Sequence, residues 1–288
     1  MPELPEVESV RRGLAAAELR APVVSVWRSD FKLRVGKHWQ DENLRVLHGA
    51  TPGSVGRRGK YVVWEFAGAG GGAPLGLVIH LGMSGRCGVA TKEQPRVVHT
   101  HFVLEFADGR ELRLVDPRRF GGVRAGVMAE IINSEPLGSL GPEPLEKGFS
   151  GAVLAERLGG SARPIRDALL DQEAVAGLGN IYAVEALFAA GIHPLVEANR
   201  LHATAWDRLA VAIVQALQQG IENGGTTLKD FRNVVGEVGR NQDDLKVYGR
   251  ADEACPKCGS KLVGFVSGGR SGAYCPRDQP RPRARVVR

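Results

Sequence analysis

No apolar run in these 288 residues is long enough to cross a bilayer, and the N-terminus lacks the basic-then-apolar order of a secretory signal. Both absences argue against a membrane-spanning or exported chain and lead to the expectation of a cytoplasmic protein. Cysteine is scarce: there are four, with Cys87 isolated and Cys255, Cys258 and Cys275 crowded toward the C-terminus. That spacing is not a disulfide framework. No internal repeat is present.

What remains is ordinary in bulk. A hydrophobic content of 43% and a charged content of 24% are those of a soluble globular chain. The length suits one large or two ordinary domains and a substantial core. The formal net charge of +6 favours an anionic partner. Its distribution says more than its size. Basic residues gather at Arg57, Arg58 and Lys60, at Arg118 and Arg119, and in a tail with Arg281, Arg283, Arg285 and Arg288. Clusters lying beside glycines read as a phosphate-binding surface better than as solvated faces.

Up to about Val127 the chain reads as β-rich. Short apolar runs at Tyr61–Phe66, Leu77–Leu81 and Phe102–Phe106 are separated by turn signals, and Asp108-Gly109 is a hairpin signal. Many short strands suggest a sandwich or barrel. A helix is expected before them, near Val7–Leu19, from apolar positions Val7, Val10 and Leu14. Pro and Gly concentrate between Glu135 and Pro144, which places an interdomain hinge there. Helical patterns follow: one capped by Ser150 and running to about Leu158, one with Pro164 in its first turn, and two more over Asn180–Phe188 and Thr204–Ile221. Gly191 and Gly224 are their stops. The Gly-rich run from Gly68 mimics a dinucleotide fingerprint, but it precedes a strand rather than a helix, so that reading fails.

Three places carry chemistry. The chain opens Met1-Pro2-Glu3-Leu4-Pro5-Glu6-Val7-Glu8. Removal of Met1 would leave a terminal proline, whose secondary amine has a pKa near the ordinary α-amino value of about 8. Such an amine attacks an electrophilic carbon and forms a cationic iminium, an electron sink like a lysine Schiff base. Glu3 stands beside it as a proton carrier. On these residues alone, a solvated acidic terminus remains open as well. Cys255-Pro256-Lys257-Cys258 and Cys275-Pro276-Arg277-Asp278 have the spacing of a two-knuckle zinc site with Asp at the fourth ligand position. The other reading is a hairpin held by packing alone. Gly177-Leu178-Gly179-Asn180 introduces a helix whose unpaired amides attract an anion.

These segments occur in a telling order. The chain resembles bacterial formamidopyrimidine-DNA glycosylase, the 8-oxoguanine repair enzyme, through Pro2-Glu3-Leu4-Pro5-Glu6-Val7-Glu8, Gly59-Lys60-Tyr61, His80-Leu81-Gly82-Met83-Ser84-Gly85, Asp116-Pro117-Arg118-Arg119-Phe120-Gly121, Gly177-Leu178-Gly179-Asn180-Ile181-Tyr182 and the cysteine hairpin. The resemblance covers nearly the whole length. It implies an α+β fold: an N-terminal β-sandwich with a flanking helix (1–134), a helical helix–two-turns–helix domain (135–240), a zinc-finger-like β-hairpin (241–280) and a basic disordered tail (281–288).

The resemblance also implies roles. Pro2 is the nucleophile, Glu3 the proton-transfer group and Lys60 the phosphate grip beside the lesion, with Arg270 completing the catalytic set through a phosphate. Glu6 contacts the extruded nucleoside. Met83, Arg118 and Phe120 fill the vacated stack. Asn180 binds phosphate, and His80, His99, Arg166 and Tyr248 line the DNA groove. Arg166 stands where many members have lysine. One structural Zn2+ is implied on Cys255, Cys258, Cys275 and Asp278, where Asp278 replaces the usual last cysteine. The expected partner is double-stranded DNA containing an oxidised base, bound by a monomer in the cytoplasm, associated with the nucleoid. The expected reaction is base excision through a proline iminium followed by β,δ-elimination. The alternatives are an endonuclease VIII-like enzyme for oxidised pyrimidines, against which Leu4 and the 226–231 segment argue, and a non-catalytic lesion or nick binder.

Overall fold

The computed structural model describes residues 1–33 and 41–281. Apart from Arg281, the expected basic tail lies outside them.

The first helix, α1 (Leu4–Ala16), begins three residues earlier than its apolar spacing suggests. The reason is a capping box: the Glu3 carboxylate accepts the Glu6 N–H while the Glu6 carboxylate accepts the Glu3 N–H. The helix stops before Leu19 because Glu18 turns to a φ of +46°. Leu19 is nonetheless buried.

The strands follow as β1 (Val23–Arg28), β2 (Thr51–Arg58), β3 (Tyr61–Ala67), β4 (Leu75–His80), β5 (Arg86–Thr91), β6 (Thr100–Phe106), β7 (Arg110–Val115) and β8 (Gly122–Val127). They form two four-stranded antiparallel sheets, ordered β1-β6-β7-β5 and β2-β3-β4-β8. This is the expected sandwich. Asp108-Gly109 does turn β6 into β7, with Gly109 at a φ of +82° that a side chain would strain. The glycine-rich segment after Gly68 is an exposed link between β3 and β4. Inward residues of both sheets close one core with α1: Val7, Val10 and Leu14 meet Trp64, Phe66, Phe102, Leu104 and Phe106. The Trp64 and Phe106 rings lie 6.1 Å apart.

Among the described residues the chain then forms α2 (Met128–Asn133), α3 (Gly151–Leu158), α4 (Ile165–Leu169), α5 (Asn180–Ala190), α6 (Ala203–Glu222) and a hairpin of β9 (Val263–Ser267) and β10 (Arg270–Tyr274). The Ser150 hydroxyl caps α3 by accepting the Val153 N–H at 3.4 Å. Pro164 sits one place ahead of its expected position, as the residue before α4. Gly191 ends α5 in the left-handed conformation.

The chain divides into two compact units: residues 1–139 with 220–242, and residues 140–219 with the rest. The second unit has its own small core, in which Val184 and Phe188 of α5 pack with Val247, Leu262, Cys255 and Cys275. No described helix is long and apolar enough to cross a membrane.

The sandwich core sets one stability expectation. Phe106 is about 1% exposed, so Phe106→Ala should destabilise the first unit by roughly 3–5 kcal/mol. The lowered denaturant midpoint of that unit measures it.

Candidate active site and nucleic-acid surface

The capping box shapes the start of the chain. Pro2, Glu3 and Glu6 are all buried, whereas Met1 is exposed. Burying carboxylates demands hydrogen-bond partners, and Glu6 uses both oxygens for this. Oε2 accepts the Glu3 N–H at 2.7 Å, and Oε1 accepts the Thr226 N–H at 2.6 Å. One carboxylate thus fixes the backbone beside Pro2 and the start of the 226–241 segment. At the other end of that segment Asn241 closes the neck. Its side-chain amide donates to Thr226 Oγ1 at 2.9 Å, and its backbone N–H donates to the Gly225 carbonyl. The sequence marks Thr226 only as the start of the 226–231 segment and gives no sign of Asn241. Their partners lie up to 220 positions away, and polar residues between glycines carry no periodic signal.

Lys60 stands in the β2–β3 turn and is buried. Its neighbour in charge is His80, whose pKa is pulled down to about 4, first by burial and then by Lys60, with Asp116 opposing. The Gly82 N–H donates to His80 Nδ1 at 3.3 Å, which requires the neutral ring. Tyr61 packs on that ring at 4.8 Å. Arg57 does not serve the phosphate-binding surface expected of its cluster. Its guanidinium lies 3.4 Å from Glu8 of α1, in a pair with little exposure.

Met83, Arg118 and Phe120 sit on two loops, which are held together by the fully buried Asp116. Asp116 accepts the Ser84 hydroxyl at 2.5 Å and the Gly121 N–H at 2.7 Å. The loops touch backbone to backbone: a Cβ on Gly82 would stand 2.3 Å from Gly121 N. Met83 is 41% exposed at this tip, and the Arg118 guanidinium covers the Phe120 ring at 4.9 Å. His99 is exposed, with a φ of +69°, and its carbonyl accepts the Asp116 N–H. Asp116 is a further site residue that sequence reasoning passed over, although it lies inside a quoted motif.

In the second unit Asn180 opens α5, and its amide donates to the Ser271 carbonyl at 2.8 Å. Arg270 is exposed at the start of β10, and its guanidinium has no hydrogen-bond or ion-pair partner among the described residues. Arg166, expected in the DNA groove, has no exposed surface at all. Its guanidinium is turned onto the hairpin and Asp167. The Tyr248 N–H donates to Glu185 Oε1.

The ligand atoms of Cys255, Cys258, Cys275 and Asp278 lie within 4.8 Å of one another. Tetrahedral zinc with thiolates near 2.3 Å sets ligand separations of roughly 3.7 Å. Here Cys258 Sγ and Cys275 Sγ are 3.4 Å apart, and Cys255 Sγ and Asp278 Oδ2 are 3.1 Å apart. The N–H groups of Lys257 and Asp278 point at the sulfurs of Cys255 and Cys275, as they do at thiolates in metal knuckles. The donor set fits a single zinc ion.

Comparison with known proteins covers most of the chain. Residues 1–123 match the formamidopyrimidine-DNA glycosylase N-terminal domain, 140–232 the H2TH domain of the same enzymes, and 252–281 a zinc finger found in FPG and IleRS. A formamidopyrimidine-DNA glycosylase of Bacillus licheniformis is 41% identical over 96% of this chain and 98% of its own length. Two solved structures of Lactococcus lactis Fpg, one a mutant with Fapy-dG containing DNA and one with abasic-site DNA, each align with a TM-score of 0.86. Each is 33% identical, over 97% of this chain and all of theirs.

His80 yields a pH expectation. An unfolded histidine takes its proton near pH 6.5, but the folded one waits until about pH 4. Between those values the unfolded chain binds more protons, so this group's contribution to stability falls as pH drops from 6.5 toward 4. His80→Gln should flatten that part of the stability-pH curve. An unchanged slope in denaturant titrations would contradict the neutral, half-buried ring.

Proposed function

The chain belongs to the formamidopyrimidine-DNA glycosylase family, and we propose on that premise that it excises oxidised purines from duplex DNA and then cleaves the strand. The substrates are 8-oxoguanine and ring-opened formamidopyrimidines, removed by a monomer acting at the nucleoid. The observation that supports this reading is the buried start of α1, where the Glu6 carboxylate accepts the Glu3 N–H directly beside Pro2 and the Thr226 N–H.

With Met1 removed, the Pro2 secondary amine attacks C1′ of the damaged nucleotide. The N–C1′ bond forms as the C1′–base bond breaks, and the base leaves with a proton. Glu3 delivers a proton to the ring oxygen, the sugar opens, and the nitrogen lone pair completes the iminium. The cation acidifies the C2′ proton. Its loss expels the 3′ phosphate, and a second elimination expels the 5′ phosphate. Hydrolysis then frees the amine.

Lys60 is the phosphate grip beside the lesion, and Arg270 and Asn180 of the second unit are further phosphate-binding residues. Met83, Arg118 and Phe120 occupy the gap left by the extruded base. Cys255, Cys258, Cys275 and Asp278 would hold one zinc ion, which supplies folding energy to the hairpin and no step of the reaction.

Two measurements test the reading. Borohydride trapping on a duplex with one 8-oxoguanine opposite cytosine should give a covalent adduct that maps to Pro2. In Pro2→Gly, excision should fall by tenfold or more, about 1.4 kcal/mol of transition-state stabilisation, with duplex affinity largely kept. Unaltered excision would rule out the amine mechanism. Asp278→Ala should carry less zinc per protein by metal analysis. Equal content would remove Asp278 from the ligand set.

A further inference from the structure

Two arginines of the second unit stand at the same hairpin and are used in opposite ways. Arg270 is exposed, and no hydrogen bond or ion pair of its guanidinium is present among the described residues. Arg166 of α4 is 0% exposed. Its Nη2 donates to the Ser267 carbonyl at 2.6 Å and to the Arg270 carbonyl at 3.3 Å, the two residues that flank the β9–β10 turn. The same nitrogen lies 2.9 Å from Asp167 Oδ1. The Ser267 hydroxyl in turn donates to Asp167 Oδ2. Nη1 reaches Asn180 Oδ1 at 3.5 Å, and the Phe265 ring of β9 lies 5.4 Å from the guanidinium carbon. Asn180 is tied to the next residue of the hairpin through the Ser271 carbonyl.

Nη2 alone meets the two carbonyls and the Asp167 carboxylate, and Nη1 turns to Asn180. The buried Nε has no hydrogen-bond partner among the described residues, so the charge is held by the outer end of the planar fork. A lysine could bring one ammonium to the Nη2 position, but it has no second arm to reach Asn180 Oδ1 and no flat face to set beside the Phe265 ring. We infer that Arg166 is a positioning residue: it makes no contact with DNA and instead clamps the β9–β10 turn so that the unpaired Arg270 guanidinium is presented to a backbone phosphate. This inference rests on the DNA reading above. It goes beyond that reading by separating the cation that touches DNA from the one that aims it.

The test is a double-mutant cycle read through the salt dependence of binding to a duplex carrying a tetrahydrofuran abasic analogue. Each phosphate contact contributes about 0.9 to the slope of log K against log salt. Arg270→Ala should lower the slope by about one contact. Arg166→Lys keeps the charge and should still lose about the same slope, and the double variant should lose no more than either single one. If Arg166→Lys binds with the parent's slope, or if the two losses add, Arg166 does not act through Arg270 and the inference falls. Melting temperature and zinc content of each variant report whether the hairpin is intact. Should Arg166→Lys release zinc, Asp167→Asn replaces it in the cycle. There, loss of slope that is absent on top of Arg270→Ala supports the clamp, and an additive or absent loss overturns it. A parent protein that does not bind the duplex overturns the DNA reading and this inference together. A parent that binds, with Arg166→Lys unchanged, overturns this inference alone.

Discussion

A carboxylate buried at the first turn of a helix organises the N-terminal end of the first unit of this molecule. Glu6 has almost no contact with solvent, and a charge in that position persists only if its oxygens are occupied. They are occupied by amides from two distant pieces of chain, Glu3 and Thr226. The helix dipole favours a negative group at this end, and the partial positive charge of the unpaired N–H groups adds to that. The same side chain therefore starts α1 at Leu4, holds the backbone beside Pro2, and anchors the segment that Asn241 closes from its far end. Replacing it with an apolar residue would leave two buried amides without acceptors.

Local chemistry was legible in the sequence wherever one short segment decides the outcome. Asp108-Gly109 makes its hairpin because glycine alone enters that φ cheaply, Ser150 caps its helix, and Gly191 ends another. The ordered motifs brought the sandwich, the helical region and the cysteine hairpin with them. Contacts between remote segments were not legible. Arg166 reads as DNA-facing only through the family resemblance, which carries a position but not the direction its side chain takes. Its burial follows from carbonyls about a hundred residues later that no pattern announces. Arg57 reads as phosphate-binding from its basic cluster, and its pairing with Glu8 is another remote contact that no local pattern announces. The start of α1 was missed by three residues because apolar spacing cannot see a capping box made by two glutamates.

The cysteine hairpin shows how a departure from the usual ligand type can be absorbed. Asp278 brings a short, hard donor to a place where thiolate is the softer choice. The backbone helps it, since its own N–H supports the Cys275 sulfur. Gln279 follows directly and is almost fully buried, donating to the Ile192 carbonyl and accepting the Cys275 N–H. The ligand strand is thereby fastened to the end of α5 by polar bonds that do not involve the metal donors.

The backbone contact between Gly82 and Gly121 has a consequence for how a duplex is entered. With no room for a side chain at either position, the loops that carry Met83, Arg118 and Phe120 cannot slide past one another. Asp116 bonds to both and removes the remaining freedom. Three separate probes would each surrender their own conformational freedom on meeting DNA. Here the backbones of the two loops are already ordered by folding, so on the proposed function the three positions would meet a duplex as one unit.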